Sequence, residues 1–156
     1  MRRTPGFHEF MVERLGDPRR PFGLLYNFFV RPLCAGTFAG FWRRWNPPYI
    51  YLCLFFVYRP LRRLLPRPSA TFATFLVSGF VLHDLPFGNG MDILRGQLEV
   101  PKVTLLFAIF ACLVLLTGAL RLDLSAHSAC VRASANLSLL CIGFAAQWAL
   151  LMAVPK

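Results

Sequence analysis

Acidic residues are scarce in this chain: seven Asp and Glu stand against seventeen Lys and Arg, and only two of the basic residues are lysines. An excess that is almost all arginine favours a phosphate-rich partner, either anionic lipid or nucleic acid. No nucleic-acid-binding motif and no Lys/Arg stripe on a polar helix is present, so no nucleic-acid partner is expected. The five cysteines form no CxxC pair and the three histidines are scattered, which excludes the spacings of a metal site. The polar, mixed stretch that follows Arg2 and Arg3 has no apolar core of the kind a cleavable signal needs. Internal repeats and low-complexity segments are also missing.

What is present is apolar: 56% of residues are hydrophobic and the mean hydropathy is +0.54, values of a membrane protein and not of a small soluble domain. The charge divides unevenly. Residues 1–68 hold twelve basic and three acidic groups, while residues 69–156 hold five and four. This describes a basic, aromatic-rich interfacial segment followed by a transmembrane region, together one unit.

The pattern of residues 7–15 predicts a short amphipathic helix with Phe7, Phe10, Met11 and Leu15 on one face, ended by Asp17-Pro18. Residues 21–33 are apolar but too short to span, and are broken at Arg31-Pro32. Thr37 is placed to cap a helix on which Phe38, Phe41, Trp42 and Trp45 share a face beside Arg43 and Arg44. Asn46-Pro47-Pro48 stops that helix. Residues 47–58 are flanked by basic clusters on both sides and read as re-entrant or interfacial. Residues 59–68, rich in Pro and Arg, read as a connector.

Three spans are predicted, at 69–85, 103–120 and 135–154, so the fold class is an all-α, multi-pass membrane protein. With Arg62, Arg63 and Arg67 in the cytoplasm, the loop 86–102 lies outside and the loop 121–134 returns inside. Asn136, Gly143 and Gln147 form a stripe on the last span, and Thr104, Ala108, Ala111 and Ala119 one on the middle span. Both predict helix contacts.

An ionisable pair, His83-Asp84, ends the first span, and such groups near hydrocarbon call for a partner or a task. At 100° per residue His83, Gly79, Leu76 and Phe72 share a face, and Thr71, Thr74 and Ser78 look the other way. Imidazole suits general-base deprotonation of a hydroxyl, and the Asn46 amide suits orienting a substrate or an oxyanion.

The segment FAGFWRRWN, the proline-broken apolar piece after it and the lone histidine of a later apolar helix resemble the membrane-bound O-acyltransferase family, over about residues 20–85. FWRRWN is similar to the FWRRWH form of bacterial alginate acetylases and D-alanyl transferases. Its Asn46 is like the Asn of eukaryotic sterol, ghrelin and lysophospholipid acyltransferases. The resemblance implies that His83 and Asn46 are catalytic, with Trp42, Arg43, Trp45 and Asp84 around the substrate. It implies an acyl-CoA or acyl carrier protein donor, no bound cofactor, a hydroxyl acceptor, and the bacterial inner membrane with a cytoplasmic N-terminus. Family members are several hundred residues long, so the resemblance also implies that another membrane chain, or a second copy, completes the acyl tunnel; membrane lipids are the other expected partner. The alternative is a non-catalytic transmembrane subunit of a larger complex. His83 followed directly by Asp84 departs from the family and raises a pairing of carboxylate with imidazole.

Overall fold

The computed structural model describes residues 5–16, 21–87, 95 and 101–153. Every regular element among them is helical. The expected stop at Asp17-Pro18 and the charges Asp92 and Glu99 of the expected outer loop lie outside the described residues.

In chain order the elements are α1 (Phe7–Leu15), α2 (Pro21–Leu25), π1 (Tyr26–Val30), α3 (Arg31–Leu33), α4 (Phe38–Arg44), α5 (Pro47–Leu52) and π2 (Cys53–Tyr58). They continue with α6 (Arg59–Leu64), α7 (Arg67–Gly79), π3 (Phe80–Asp84), α8 (Leu85–Phe87), α9 (Lys102–Ala119) and α10 (Ala129–Ala153). Two of these, α9 and α10, are long and apolar enough to cross a bilayer, by length and composition. Residues 67–87 run on through α7, π3 and α8 but carry Arg67, Ser69, Thr71, Thr74, Ser78, His83 and Asp84, which makes this stretch more polar than those two.

Three widened turns share one cause. The residue before each proline, Arg31, Arg59 and Leu85, donates its N–H to the carbonyl five residues back, at Tyr26, Leu54 and Phe80. Prolines 32, 60 and 86 follow immediately. A proline inside a helix removes a donor and pushes its ring against the carbonyl four residues earlier. Widening the preceding turn to π geometry relieves that clash without ending the helix. The breaks expected from these prolines are therefore bulges, and the expected connector at 59–68 is helical as far as Leu64.

Where the sequence stops a helix, side chains and backbone agree. Thr37 Oγ1 accepts from Gly40 N at 3.0 Å at the start of α4. Asn46 leaves the α region for the left-handed one, φ 46° and ψ 72°, between α4 and α5. Asparagine tolerates that conformation better than other non-glycine residues.

One core joins the two halves of the chain. Ala35, Phe38 and Phe41 pack against Leu106, Phe110 and Val114 of α9. The bundle closes where side chains are absent: a Cβ on Gly79 would sit 2.7 Å from Thr104 Cα, and one on Gly143 would meet the Phe110 ring at 2.3 Å. The stripe on α10 makes the predicted contacts. Asn136, 3% exposed, donates to the carbonyls of Leu33 and Ala35 at 2.7 and 2.9 Å, and Gln147 donates to Lys102 O at 2.6 Å. At the N-terminus, Phe10 of α1 is buried against Tyr51 and Phe55. All five cysteines are free thiols.

Candidate functional site

His83 lies inside π3, so its direction follows from the bulge that Pro86 imposes. Its Nδ1 is 2.9 Å from Ser78 O, five residues back. A carbonyl oxygen only accepts, so Nδ1 carries the proton in this contact and Nε2 of the neutral ring keeps its lone pair. Nε2 has no hydrogen-bond partner among the described residues. The ring packs against Tyr49, stacked at 5.2 Å and 26°, and Phe107 at 4.9 Å and 41°. An imidazole with one nitrogen engaged and the other free keeps a lone pair that can accept a proton.

Asp84 does not pair with this imidazole. It is 2% exposed, and its carboxylate accepts from Val103 N (3.1 Å), Thr104 N (2.7 Å) and Thr104 Oγ1 (2.6 Å). The two N–H groups belong to the first turn of α9, where no carbonyl within the helix can take them, so Asp84 caps that helix from a neighbouring element. Adjacent in sequence, the two residues divide the labour: one carboxylate is used up in structure, and one imidazole is left available.

Asn46 stands one helical turn before Tyr49, at the start of α5, and so belongs to the element that supplies one of the rings packed on His83. Its side chain makes no hydrogen bond among the described residues, and its carbonyl accepts from Ile50 N at 3.1 Å. Trp45 is packed into an aromatic cluster, stacked on Phe41 at 5.4 Å and 6.4 Å from both Phe28 and Phe29. Trp42 sits among Phe38, Phe41, Phe75, Phe107 and Phe110, and its buried indole N–H has no acceptor.

Trp42 and Arg43 also line a groove of about 780 Å³ bounded by α4, α5, π2, α7 and α9. It reaches Ser78 and Phe107, two of the three residues that contact His83, while His83 and Asn46 themselves lie outside its wall. Thr71 and Thr74 line it as well, and so do Arg14, Arg43 and Arg67. Arg44, nearby, has its pKa lowered by burial first and then by the positive charges of Arg31, Arg14, Arg132 and Arg43. Among the described residues no group of three His, Cys, Asp or Glu side chains is placed to hold a metal ion.

The chain matches no protein-family model, no curated protein and no solved structure. The geometry brings His83, Tyr49, Ser78 and Phe107 together, none of the last three being visible as a site residue in the sequence. The usable signal was Pro86, three residues after His83, which marks the turn that aims the ring.

Proposed function

We propose that this chain is an integral membrane acyltransferase that moves an acyl group from a thioester to a hydroxyl, with His83 as its general base. The observation that carries the reading is the fixed tautomer of His83: Nδ1 donates to Ser78 O and Nε2 is uncommitted beside two aromatic rings. Further support comes from the apolar groove that reaches Ser78 and Phe107, which has the size of sites that hold small amphiphiles, about 300–1,000 Å³.

In the reaction, Nε2 takes the proton of the acceptor hydroxyl as its oxygen attacks the thioester carbonyl. The tetrahedral intermediate expels the thiolate by breaking the C–S bond, and the imidazolium returns the proton to sulfur. Asn46 is the neutral amide proposed to orient the acceptor or the developing oxyanion. Acyl-CoA or an acyl carrier protein is the donor. The arginines gather at one end of the bundle: α7 starts at Arg67 beside the C-terminus of α9, and Arg132 at the start of α10 is near enough to act on Arg44. This favours a topology with that end, and the N-terminus, on the cytoplasmic face of a bacterial inner membrane.

The test is acyl transfer by the purified chain in vesicles, with long-chain acyl-CoA and acyl carrier protein as donors. His83→Gln is expected to lose about 10²-fold or more of the rate. A rate unchanged by His83→Gln would overturn the assignment. A second reading, a non-catalytic membrane subunit, is favoured by the apolar side chains that α10 leaves exposed, Phe144, Trp148 and Met152. A stoichiometric co-purifying chain, with no transfer from either donor, would decide for it.

A further inference from the structure

The groove described above is chemically lopsided. Along its length Trp42, Ile50, Leu54, Phe75, Phe107 and Leu115 present apolar surface. The two threonine hydroxyls on its wall are already engaged. Thr71 donates to Arg67 O at 2.9 Å and Thr74 to Ala70 O at 2.7 Å. Apart from the Trp42 indole N–H and the Tyr58 hydroxyl, a polar ligand lying along this wall finds little to bond, whereas a hydrocarbon chain suits most of it.

Charge enters through arginine. Arg14, Arg43 and Arg67 line the groove with no Asp or Glu among its lining residues, and Arg14 is shared with a second, smaller recess of about 160 Å³ that also presents Glu13, Asn27, Arg31 and Arg44. None of these five guanidinium groups forms an ion pair with a carboxylate among the described residues. Arg14 donates to Arg43 O at 2.8 Å and Arg31 to Asn27 Oδ1 at 3.4 Å, contacts that hold the side chains but leave their charge uncompensated. Five arginines beside the single carboxylate of Glu13 leave an excess of like charges that repel one another. The lowered pKa of Arg44 reports both its burial and that repulsion. A bound anion removes this cost, and guanidinium groups match phosphate oxygens in geometry as well as in charge.

We propose that this groove is a binding site for one anionic glycerophospholipid, its phosphate on Arg14, Arg43 and Arg67 and one acyl chain laid along the wall toward Ser78 and Phe107. The lipid need not react there, so the site stands apart from the acyl-transfer reading and survives its failure.

The experiment is native mass spectrometry of the detergent-purified full chain, titrated with dioleoyl phosphatidylglycerol, with dioleoyl phosphatidylcholine of the same chains, and with glycerol phosphate as a chainless headgroup. Phosphatidylglycerol is expected to bind in a one-to-one complex more tightly than either of the others. Arg43→Gln combined with Arg67→Gln should weaken it about 30-fold, the loss of two cation contacts near a membrane surface. Thr74→Trp, which obstructs the groove and leaves the arginines in place, should also weaken it. Equal binding of phosphatidylglycerol and phosphatidylcholine by the wild-type chain would overturn the proposal in favour of ordinary bilayer contact. Glycerol phosphate binding as tightly as the lipid would overturn it in favour of a free-phosphate site. Because the lipid comparison uses the wild-type chain, it decides the matter even where a variant fails to fold.

Discussion

Helices α9 and α10 on one side, and the three proline-widened helices on the other, differ in polarity and in the regularity of their turns, and do different work. In α9 and α10 the hydrogen-bond ladder is regular, and their polar side chains serve packing: Thr117 bonds back to Leu113 O and Val114 O, and Asn136 and Gln147 tie neighbouring backbone. In the widened helices the irregular turns carry groups able to do chemistry, the buried Cys53 thiol in π2 and His83 in π3. A π turn adds a residue to the circuit and redirects the side chains around it, and such turns gather at functional sites. The lesson is that a proline in these segments is better read as a device for aiming what lies two to seven residues before it than as the end of a helix.

The comparison can be broken first at the joint between its two sides. Asp84→Ala removes the carboxylate that satisfies three donors at the start of α9, and should cost about 3 kcal/mol or more, read as a lowered unfolding midpoint by circular dichroism in detergent. Asp84→Asn should cost less, since one amide oxygen still accepts. Gly79→Ala comes next. Its new Cβ meets the backbone of Thr104, which cannot swing aside, and about 1–3 kcal/mol of overpacking is expected from the same measurement.

Pro86→Ala sharpens the comparison, because it restores a donor and removes the ring that forces π3 open. If π3 then relaxes to a regular helix, His83 turns away from Tyr49 and Phe107. Acyl transfer should fall as far as in His83→Gln while the unfolding midpoint stays within about 1 kcal/mol of wild type. Retained transfer with an unchanged midpoint would show that the bulge is not needed.

At Asn46 the question is backbone against side chain. If the left-handed conformation alone matters, Asn46→Gly is tolerated and Asn46→Ala costs about 1 kcal/mol. If the amide acts on the acceptor, both variants lose rate together. The smallest effect expected is at Asp123, exposed in the α9–α10 loop, whose carboxyl is held below the usual carboxylate range by the Ser125 hydroxyl and then by the Ser125 backbone N–H. A depressed folded pKa stabilises the fold above the unfolded value, and this contribution is lost as pH falls through the folded one. Asp123→Asn should therefore flatten the acid limb of the stability profile slightly.

How far the sequence spoke depended on whether the local period held. The helicity of the described residues, the two long apolar helices α9 and α10, the Thr37 cap and the Asn136–Gln147 stripe all followed from a regular period of 3.6 residues and known capping chemistry. The Gly79 face was also legible, because a missing side chain in an apolar helix marks a close approach. What failed was anything that depended on turns of irregular width. The prolines read as breaks, and the contacts of His83 with Tyr49 and Phe107 join residues 34 and 24 positions away, which no local pattern encodes. Asp84 was assigned to its neighbour His83 because they are adjacent, whereas its partners lie twenty residues on, at the start of α9.

The central claim is that His83 is held with Nδ1 protonated and Nε2 free. Nitrogen NMR of the chain carrying ¹⁵N-labelled histidine measures this directly, with His83→Gln to assign the resonance. The account predicts that the neutral His83 ring bears its proton on Nδ1, with the Nε2 resonance that of an unprotonated nitrogen. A neutral ring protonated on Nε2, or one exchanging freely between the two tautomers, would contradict it.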